Sequence, residues 1–292
     1  MKAVLLLAHG TPDSLDEMPE YLTRVRGGRP PSTELLAEMR ANYAAIGGRS
    51  PLTDITRAQA EALGRELGNG ARVYFAMRNW TPLVADVLAQ AAADGCTDLV
   101  AVPLAPQYSA LSVGKYRQAV EEARPPGATV RFVESWHDHG GLLDAFAEKV
   151  REARGREPEA AVVFTAHSLP ERAIREGDPY AAQVAATAAG VAARAGVAAY
   201  RLAYQSAGRT PEPWIGPSLE EALQGLAREG VARVLVAPIG FVCDHTEVLY
   251  DIDVASAASA RRLGLALTRT ESLNASPSFI RALADVVRSA GG

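Results

Sequence analysis

Two residue types capable of proton or metal chemistry stand close to the ends of short apolar runs. His167 closes the run Val-Val-Phe-Thr-Ala-His at 162–167, and Glu247 follows the run Ile-Gly-Phe-Val-Cys at 239–243. An apolar, β-branched run that stops at a polar residue is typical of a buried parallel strand at its carboxyl end. Because ligands of open α/β sheets bind at that end, we expect His167 and Glu247 to share one cleft.

The chemistry open to this pair is proton transfer or transient metal binding. A neutral imidazole can accept a proton or ligate a metal, and a carboxylate beside it suits a divalent cation such as Fe²⁺. Asp251 stands four residues after Glu247, so both fall on one helical face and predict a short acidic strip leading from the cleft.

Each of these residues also has a purely structural alternative. His167 could be a hydrogen-bonded residue at a strand end, and the acidic strip could be a solvated helix face. Asp-His-Thr-Glu at 244–247 matches a capping box, with Asp244 as N-cap and Glu247 reaching back to it. His245 is expected to be structural or to support the site, and His137 and His139 are expected to lie on the surface in a polar loop.

The elements that must position these residues alternate along the whole chain. Strands are predicted near 3–8, 72–76, 99–104, 129–133, 161–166, 199–204, 233–238 and 265–269. Helices are predicted near 14–24, 32–44, 54–67, 81–93, 112–123, 140–153, 179–194, 218–228, 246–261 and 276–289. This alternation predicts an α/β fold with parallel sheets and helices on both faces.

A weak internal duplication divides the chain. Ala-His-Gly-Thr-Pro at 8–12 resembles Ala-His-Ser-Leu-Pro at 166–170, and a Gly-led strand ending in Pro recurs at 94–103 and 229–238. Two similar domains facing each other across a cleft would explain the repeat. We place them at 1–125 and 126–292, because Arg-Pro-Pro-Gly-Ala at 124–128 supplies a turn.

Composition excludes several classes of protein. The chain has 292 residues, a net charge of −4 and a pI of about 5.8, which disfavours nucleic-acid binding. Two isolated cysteines cannot build a four-thiolate site and fit a reducing cytoplasm as small buried residues. No apolar run approaches membrane-spanning length, and the first apolar stretch predicts a strand rather than a signal peptide.

Over nearly its whole length the sequence resembles the ferrochelatase family. The shared motifs are Ala-His-Gly-Thr-Pro at 8–12, Ala-Ile-Gly-Gly-Arg-Ser-Pro-Leu at 45–52, Leu-Ala-Pro-Gln-Tyr-Ser at 104–109, Ala-His-Ser-Leu-Pro-Glu at 166–171, Gly-Asp-Pro-Tyr at 177–180, Tyr-Gln-Ser-Ala-Gly at 204–208, Pro-Trp-Ile-Gly-Pro at 213–217 and Gly-Phe-Val-Cys-Asp-His-Thr-Glu-Val-Leu-Tyr-Asp at 240–251. The resemblance implies two Rossmann-like domains and insertion of Fe²⁺ into a porphyrin. It places the catalytic residues on His167 and Glu247, and Asp251 extends the metal route.

A porphyrin would need apolar walls and anchors for its propionates. The expected walls, by resemblance and composition, are Ile46, Tyr108, Leu111 and Trp214. The expected anchors are Arg26, Arg29, Arg49, Ser50 and Tyr116. The alternative for the arginines is ordinary solvated loop charge.

The short chain without cluster cysteines is most similar to the bacterial form that converts coproporphyrin III to coproheme. Two departures from that form stand out: His9 replaces its usual Tyr, and Ala255 shortens the acidic strip. By the duplication, His9 is expected on the face of the macrocycle opposite His167, where an imidazole could ligate product iron.

The alternative functions include two other enzymes and one protein without catalytic activity. They are a protoporphyrin IX ferrochelatase, a cobalt or nickel chelatase of a related tetrapyrrole, and a non-catalytic haem-binding protein. No prosthetic group is expected, since Fe²⁺ and the porphyrin are substrates. The chain is expected to be cytoplasmic, without a transmembrane segment, and in transient contact at most with neighbouring haem-pathway enzymes.

Overall fold

A computed structural model describes residues 2–68, 70–208 and 210–291. Over these ranges the chain forms two four-stranded parallel sheets, with strand orders β2-β1-β3-β4 and β6-β5-β7-β8. The first comprises β1 (Lys2–Ala8), β2 (Arg72–Met77), β3 (Asp98–Pro103) and β4 (Thr129–Phe132). The second comprises β5 (Ala161–His167), β6 (Tyr200–Gln205), β7 (Arg233–Ala237) and β8 (Ala266–Arg269). The α/β prediction is therefore confirmed.

Helices cover both sheets. They are α1 (Met18–Val25), α2 (Thr33–Ala45), α3 (Leu52–Leu67), α4 (Val84–Ala93), α5 (Val113–Ala123), α6 (Gly140–Arg156), α7 (Glu171–Arg175), α8 (Tyr180–Ala195), α9 (Leu219–Arg228), α10 (Thr246–Leu249), α11 (Ala257–Arg262) and α12 (Pro277–Gly291). A 3₁₀ turn at Leu15–Glu17 precedes α1, and a π-helical segment at Asp251–Ser256 separates α10 from α11. With helices on both faces, the central strands are mostly apolar, and Leu5, Leu6 and Leu7 have no exposed surface.

The two sheets repeat one topology, which confirms the duplication read from the sequence. The histidine-containing repeats begin at the ends of β1 and β5, the second strands of their sheets, and the Gly-led repeats lead into β3 and β7 beside them. One expectation is wrong: the boundary at 125–126 would separate β4 from its own sheet. β4 pairs with β3, so the division between sheets falls after Phe132 and before Ala161.

The largest apolar core lies between the two sheets and belongs to both. It contains Val4 and Leu6 of β1 together with Val162 and Phe164 of β5. α6, α8 and α12 also contribute to it. The last helix, α12, packs against α3 and α6, so the chain returns to the first half at its end.

The loop after β3 also joins the two halves. Gln107 Nε2 donates to Thr187 Oγ1 at 3.1 Å and to the Ile239 carbonyl at 3.2 Å. The Tyr108 amide donates to Gln183 Oε1 at 2.6 Å. These contacts hold the loop against α8 and fix the relative position of the two sheets.

Both cysteines, Cys96 and Cys243, are unpaired and buried, as predicted. Among the described residues, no helix has the length and apolar character needed to cross a membrane.

Candidate active site

Glu247 lies between two imidazoles. Its Oε1 is 3.6 Å from His167 Nε2, and its Oε2 is 3.6 Å from His245 Nε2. His167 is the last residue of β5, and its Nδ1 is hydrogen-bonded to the Ser168 carbonyl, so Nε2 is the atom presented to Glu247. Parts of both side chains, 30% for His167 and 42% for Glu247, remain open to solvent. The two side chains are therefore direct neighbours, as the sequence predicted.

At neutral pH the two side chains form an ion pair, with the proton on His167. Burial alone would lower the pKa of His167, but the Glu247 carboxylate outweighs it and raises that pKa to about 8. Burial would likewise raise the pKa of Glu247, but the two imidazoles hold it well below its ordinary value. At pH 7 the resting arrangement is therefore an imidazolium facing a carboxylate.

The capping-box alternative for Glu247 is wrong. The N-cap of α10 is His245, and no side chain caps it. Asp244 instead turns away from the helix: its carboxylate accepts from Ser272 Oγ at 2.7 Å and Asn274 Nδ2 at 2.8 Å. Glu247 is therefore free of a capping role.

Asp251 lies close to the pair but in a different kind of helix. It opens the π-helical segment, where the Ala255 amide reaches back to the Tyr250 carbonyl at 2.9 Å. The continuous helix predicted over 246–261 is therefore broken, at a type of turn often found at functional sites. Burial and the Glu247 charge raise the pKa of Asp251 to about 6, while a hydrogen bond from Ser206 Oγ opposes that rise.

The side chains of His167, Glu247 and Asp251 do not surround a common point. Within the described ranges, no cluster of three or more His, Cys, Asp or Glu side chains is placed to hold a metal ion. His167, Glu247 and Asp251, called the acidic row below, are therefore neighbours that do not form a cage.

His9 follows β1, as His167 ends β5, and it is held by three neighbours. Asn79 Nδ2 donates to its Nε2 at 3.0 Å, while its Nδ1 lies 3.2 Å from the Gly10 carbonyl and 3.3 Å from the Tyr21 hydroxyl. Because Nε2 accepts, Nδ1 carries the proton. Burial, with help from the Arg78 charge, lowers the pKa of His9 to about 4, so the ring is neutral.

The two halves face each other across this region. The Glu247 carboxylate acts on the pKa of His9, and also on those of Tyr21 and Tyr116 from the first half. One wall therefore carries a neutral imidazole and phenols, and the other carries the acidic row.

Arg78 is a residue of this site that the sequence reading missed. It follows β2, and its guanidinium carbon lies 5.6 Å from the centre of the Tyr116 ring. Its Nε is buried and has no hydrogen-bond partner within the described part of the chain. The rule that identified His167, a polar residue directly after a buried strand, applies to Arg78 and Asn79 as well.

The predicted propionate anchors differ in how free they are. Arg26 and Arg29 are exposed at the turn that ends α1. Arg49 is paired with Asp54, and Ser50 is buried, with its Oγ accepting from the Leu52 amide at 3.4 Å. Tyr116 is also buried, which raises its pKa. Arg26 and Arg29 remain the candidates open to an incoming anion.

Three of the four predicted wall residues, Ile46, Tyr108 and Leu111, belong to the first half, and Trp214 belongs to the second. Leu111 packs on the cluster that contains Leu169 and Tyr180, and Trp214 is half-buried, its Nε1 donating to Thr210 Oγ1 at 3.1 Å. Tyr108 and Ile46 are half-buried. His137 is not the surface residue that was expected: it is half-buried, and its Nδ1 lies 2.8 Å from Ser135 Oγ. His139 is also half-buried, with its Nδ1 enclosed and unpartnered among the described residues.

Known proteins with similar sequences share one activity. The family model described as Ferrochelatase matches residues 1–290. A ferrochelatase of Deinococcus radiodurans is 43% identical over 297 residues, covering 97% of this chain and 94% of that protein. A coproporphyrin III ferrochelatase of Geobacillus sp. (strain WCH70) is 40% identical over 297 residues, covering 97% of this chain and 96% of that protein.

Solved structures show the fold. SirB from Bacillus subtilis, determined with Fe³⁺, superposes with a TM-score of 0.60 at 12% identity, covering 99% of this chain and 95% of that one. CbiX, described as the terminal enzyme for biosynthesis of siroheme in denitrifying bacteria, gives 0.58 at 16% identity, covering 98% of each chain. At such identities the likeness establishes a chelatase-like fold alone.

Proposed function

The chain belongs to the ferrochelatase family and is an enzyme that inserts Fe²⁺ into a porphyrin; from that premise we propose that its porphyrin is coproporphyrin III and its product coproheme. We propose further that His167 and Glu247 carry the reaction, with Asp251 on the metal or proton route. The observation that supports this most directly is the carboxylate of Glu247, flanked at 3.6 Å by His167 and at 3.6 Å by His245 and facing the wall of His9.

The reaction has a simple balance: Fe²⁺ enters the macrocycle and two pyrrole protons leave. His167 cannot accept a pyrrole proton while it is an imidazolium, so the proton that it already carries must leave first. A dication arriving beside Glu247 would lower the pKa of His167, because it offsets the carboxylate charge that raises it. His167 Nε2 would then be free to take a pyrrole proton.

Asp251 suits the export of that proton. Its pKa of about 6 lies between those of Glu247 and His167, so it can accept and release protons close to neutral pH. Ser206, which is hydrogen-bonded to it, stands directly after β6. The row from His167 to Asp251 therefore offers a route away from the macrocycle.

The choice of coproporphyrin III rests on relatives and on charge. Relatives at 38–41% identity from Geobacillus and Anoxybacillus are named coproporphyrin III ferrochelatases, while the relative from Deinococcus radiodurans is named only ferrochelatase. A porphyrin with four propionates would use the exposed Arg26 and Arg29 more fully than one with two. The alternative that keeps the same site is protoporphyrin IX.

The test is anaerobic turnover of Fe²⁺ with coproporphyrin III and with protoporphyrin IX, followed through the Soret band. We expect kcat/KM to favour coproporphyrin III, and a preference for protoporphyrin IX would overturn the substrate assignment. Co²⁺ with sirohydrochlorin tests the related-chelatase alternative, and binding without turnover would mark a haem-binding protein. The cytoplasmic location and any contact with neighbouring enzymes stay predictions.

The site assignment has its own test in His167→Ala. Loss of a general base costs roughly 10²–10⁴-fold in rate. We expect metallation to fall by that factor while porphyrin binding, measured by fluorescence quenching, stays close to wild type. Turnover above about a tenth of the wild-type value would remove His167 from the mechanism.

A further inference from the structure

Asn274 lies outside the predicted site, yet it holds the segment that leads into Glu247. Its backbone amide donates to the Val242 carbonyl at 2.9 Å. Its side-chain Oδ1 accepts from the Asp244 amide at 2.9 Å, and its Nδ2 donates to Asp244 Oδ2 at 2.8 Å. One residue thus clamps both the backbone and the carboxylate of Asp244.

The backbone of Asn274 takes an unusual conformation to do this. Its φ is +46°, in the left-handed region that most side chains avoid and that asparagine tolerates better than most. In that conformation its amide, side chain and carbonyl all have partners.

Further partners fix the orientation of the Asp244 carboxylate. Asp244 Oδ1 also accepts from Ser272 Oγ at 2.7 Å and lies 3.2 Å from Arg269. Arg269 is held in turn by two hydrogen bonds to Asp253, both at 2.8 Å. The Asp244 carboxylate is therefore committed to this network and does not face the cleft.

The same residue ties the network to the other half of the molecule. The Asn274 carbonyl accepts from Gln59 Nε2 at 2.9 Å. Gln59 belongs to α3, which covers the first sheet, and it has no exposed surface. Asn274 therefore joins the first half to the segment 242–244, one residue before the imidazole of His245.

We propose that Asn274 is a positioning residue for His245 and Glu247, and that it sets their distance from His167 and from the facing wall. The proposal rests on the proposed role of Glu247. Glu247 is only three residues from Asp244 and lies in the first turn of the short helix α10, whose N-cap makes no side-chain hydrogen bond to hold its start. Displacement of a reacting group by about 1 Å can cost roughly 10²-fold in rate.

Asn274→Gly tests the two side-chain hydrogen bonds to Asp244 separately from the backbone conformation of residue 274. Glycine adopts a positive φ without strain, so both backbone hydrogen bonds can persist while the two side-chain bonds to Asp244 are lost. We expect kcat to fall by about 10-fold or more while porphyrin affinity stays within about twofold, because the walls are untouched.

Asn274→Asp provides a second variant should the glycine form not fold. It keeps Oδ1 and tolerates the backbone, but it replaces the Nδ2 donor with an oxygen facing the Asp244 carboxylate, and like charges repel. The expected loss of kcat is at least as large. Ser218→Ala is the matched control, because it removes the capping box of α9 and weakens the fold without touching the clamp.

The positioning role of Asn274 and the proposed catalytic role of Glu247 are tested by different outcomes. Normal kcat in Asn274→Gly, with Glu247→Gln inactive, would overturn the positioning role alone. Normal kcat in Glu247→Gln would instead overturn the proposed site. Parallel loss of kcat and porphyrin affinity in Asn274→Gly, or an equal loss of kcat in Ser218→Ala, would reduce Asn274 to a general structural role.

Discussion

At the scale of single residues, the proposed mechanism makes reactivity depend on the charge of His167. Its pKa of about 8 means that most molecules hold an imidazolium at pH 7. The main cause is Glu247, which supplies the largest of the influences that raise this pKa against the lowering effect of burial. The pH dependence of the enzyme should therefore report this pair.

Glu247→Gln is expected to shift the acid limb of the kcat/KM profile. In the wild type activity should rise with pH through about 8, as His167 loses its proton. Without the carboxylate, the largest influence that raises the pKa of His167 is lost while burial still lowers it, so the limb moves to lower pH. Residual turnover should be far below wild type. A limb that stays in place would contradict the coupling.

The same substitution gives a stability readout of known sign. Because the folded pKa of His167 lies above 6.5, the ion pair stabilises the fold fully below pH 6.5 and loses that effect as pH rises through about 8. The difference in unfolding free energy between wild type and Glu247→Gln should change across that window. Asp285→Asn is the control for the kinetic shift, since Asp285 pairs with Arg288 on α12, outside the site and the Asp244 network.

His9 can ligate product iron only if Asn79 releases it. Its Nε2 already accepts a hydrogen bond from Asn79 Nδ2. Asn79→Ala is expected to free that lone pair, to strengthen the spectral signature of an axial imidazole in the product complex and to slow product release. The double variant with His9→Ala should lose both effects. Identical spectra in all three proteins would leave His9 a purely hydrogen-bonded residue.

At the scale of elements, sequence patterns placed all eight observed strands, because each is a short apolar run between turn residues. They missed α7, which has only five residues, and they gave one helix where α10, the π-helical segment and α11 stand. No Pro or Gly marks the π-helical segment, so its backbone shift leaves no trace in composition.

The site was predictable to a similar extent. His167 and Glu247 follow buried runs, and their meeting required only that strands of one parallel sheet end at the same edge. Asn274 could not be found in that way, because its role depends on partners supplied by distant segments. Arg78 directly follows β2, so the same rule could have found it. The Asp244 capping box failed for the same reason: Asn274 and Ser272 compete for its carboxylate.

At the scale of the whole molecule, enzyme and substrate carry charge of the same sign. The chain has a net charge of −4, and a tetrapropionate porphyrin is an anion, so attraction must come from local cations. The exposed Arg26 and Arg29 are the residues proposed for this role, which their turn after α1 leaves free.

Arg26→Ala and Arg29→Ala are therefore expected to raise the KM for coproporphyrin III with kcat largely kept. Each should also weaken the dependence of KM on salt. Salt screens the attraction between an exposed arginine and the anion over about 10 Å at 0.1 M, and the variant lacks that attraction. Arg281→Ala, on α12, is the charge-matched control. Unchanged KM and salt dependence would place the anchors elsewhere.

The core shared by the two sheets has a consequence for how the chain comes apart. Since β1 and β5 pack into one apolar cluster, and α12 closes on α3, neither half can lose its structure without exposing the other. Chemical denaturation should follow a single cooperative transition. Tryptophan fluorescence, which comes from Trp80 in the first half, Trp136 in the shared core and Trp214 in the second half, and far-UV circular dichroism of the same protein should therefore give one midpoint. Two separate midpoints would mean that the halves are thermodynamically independent.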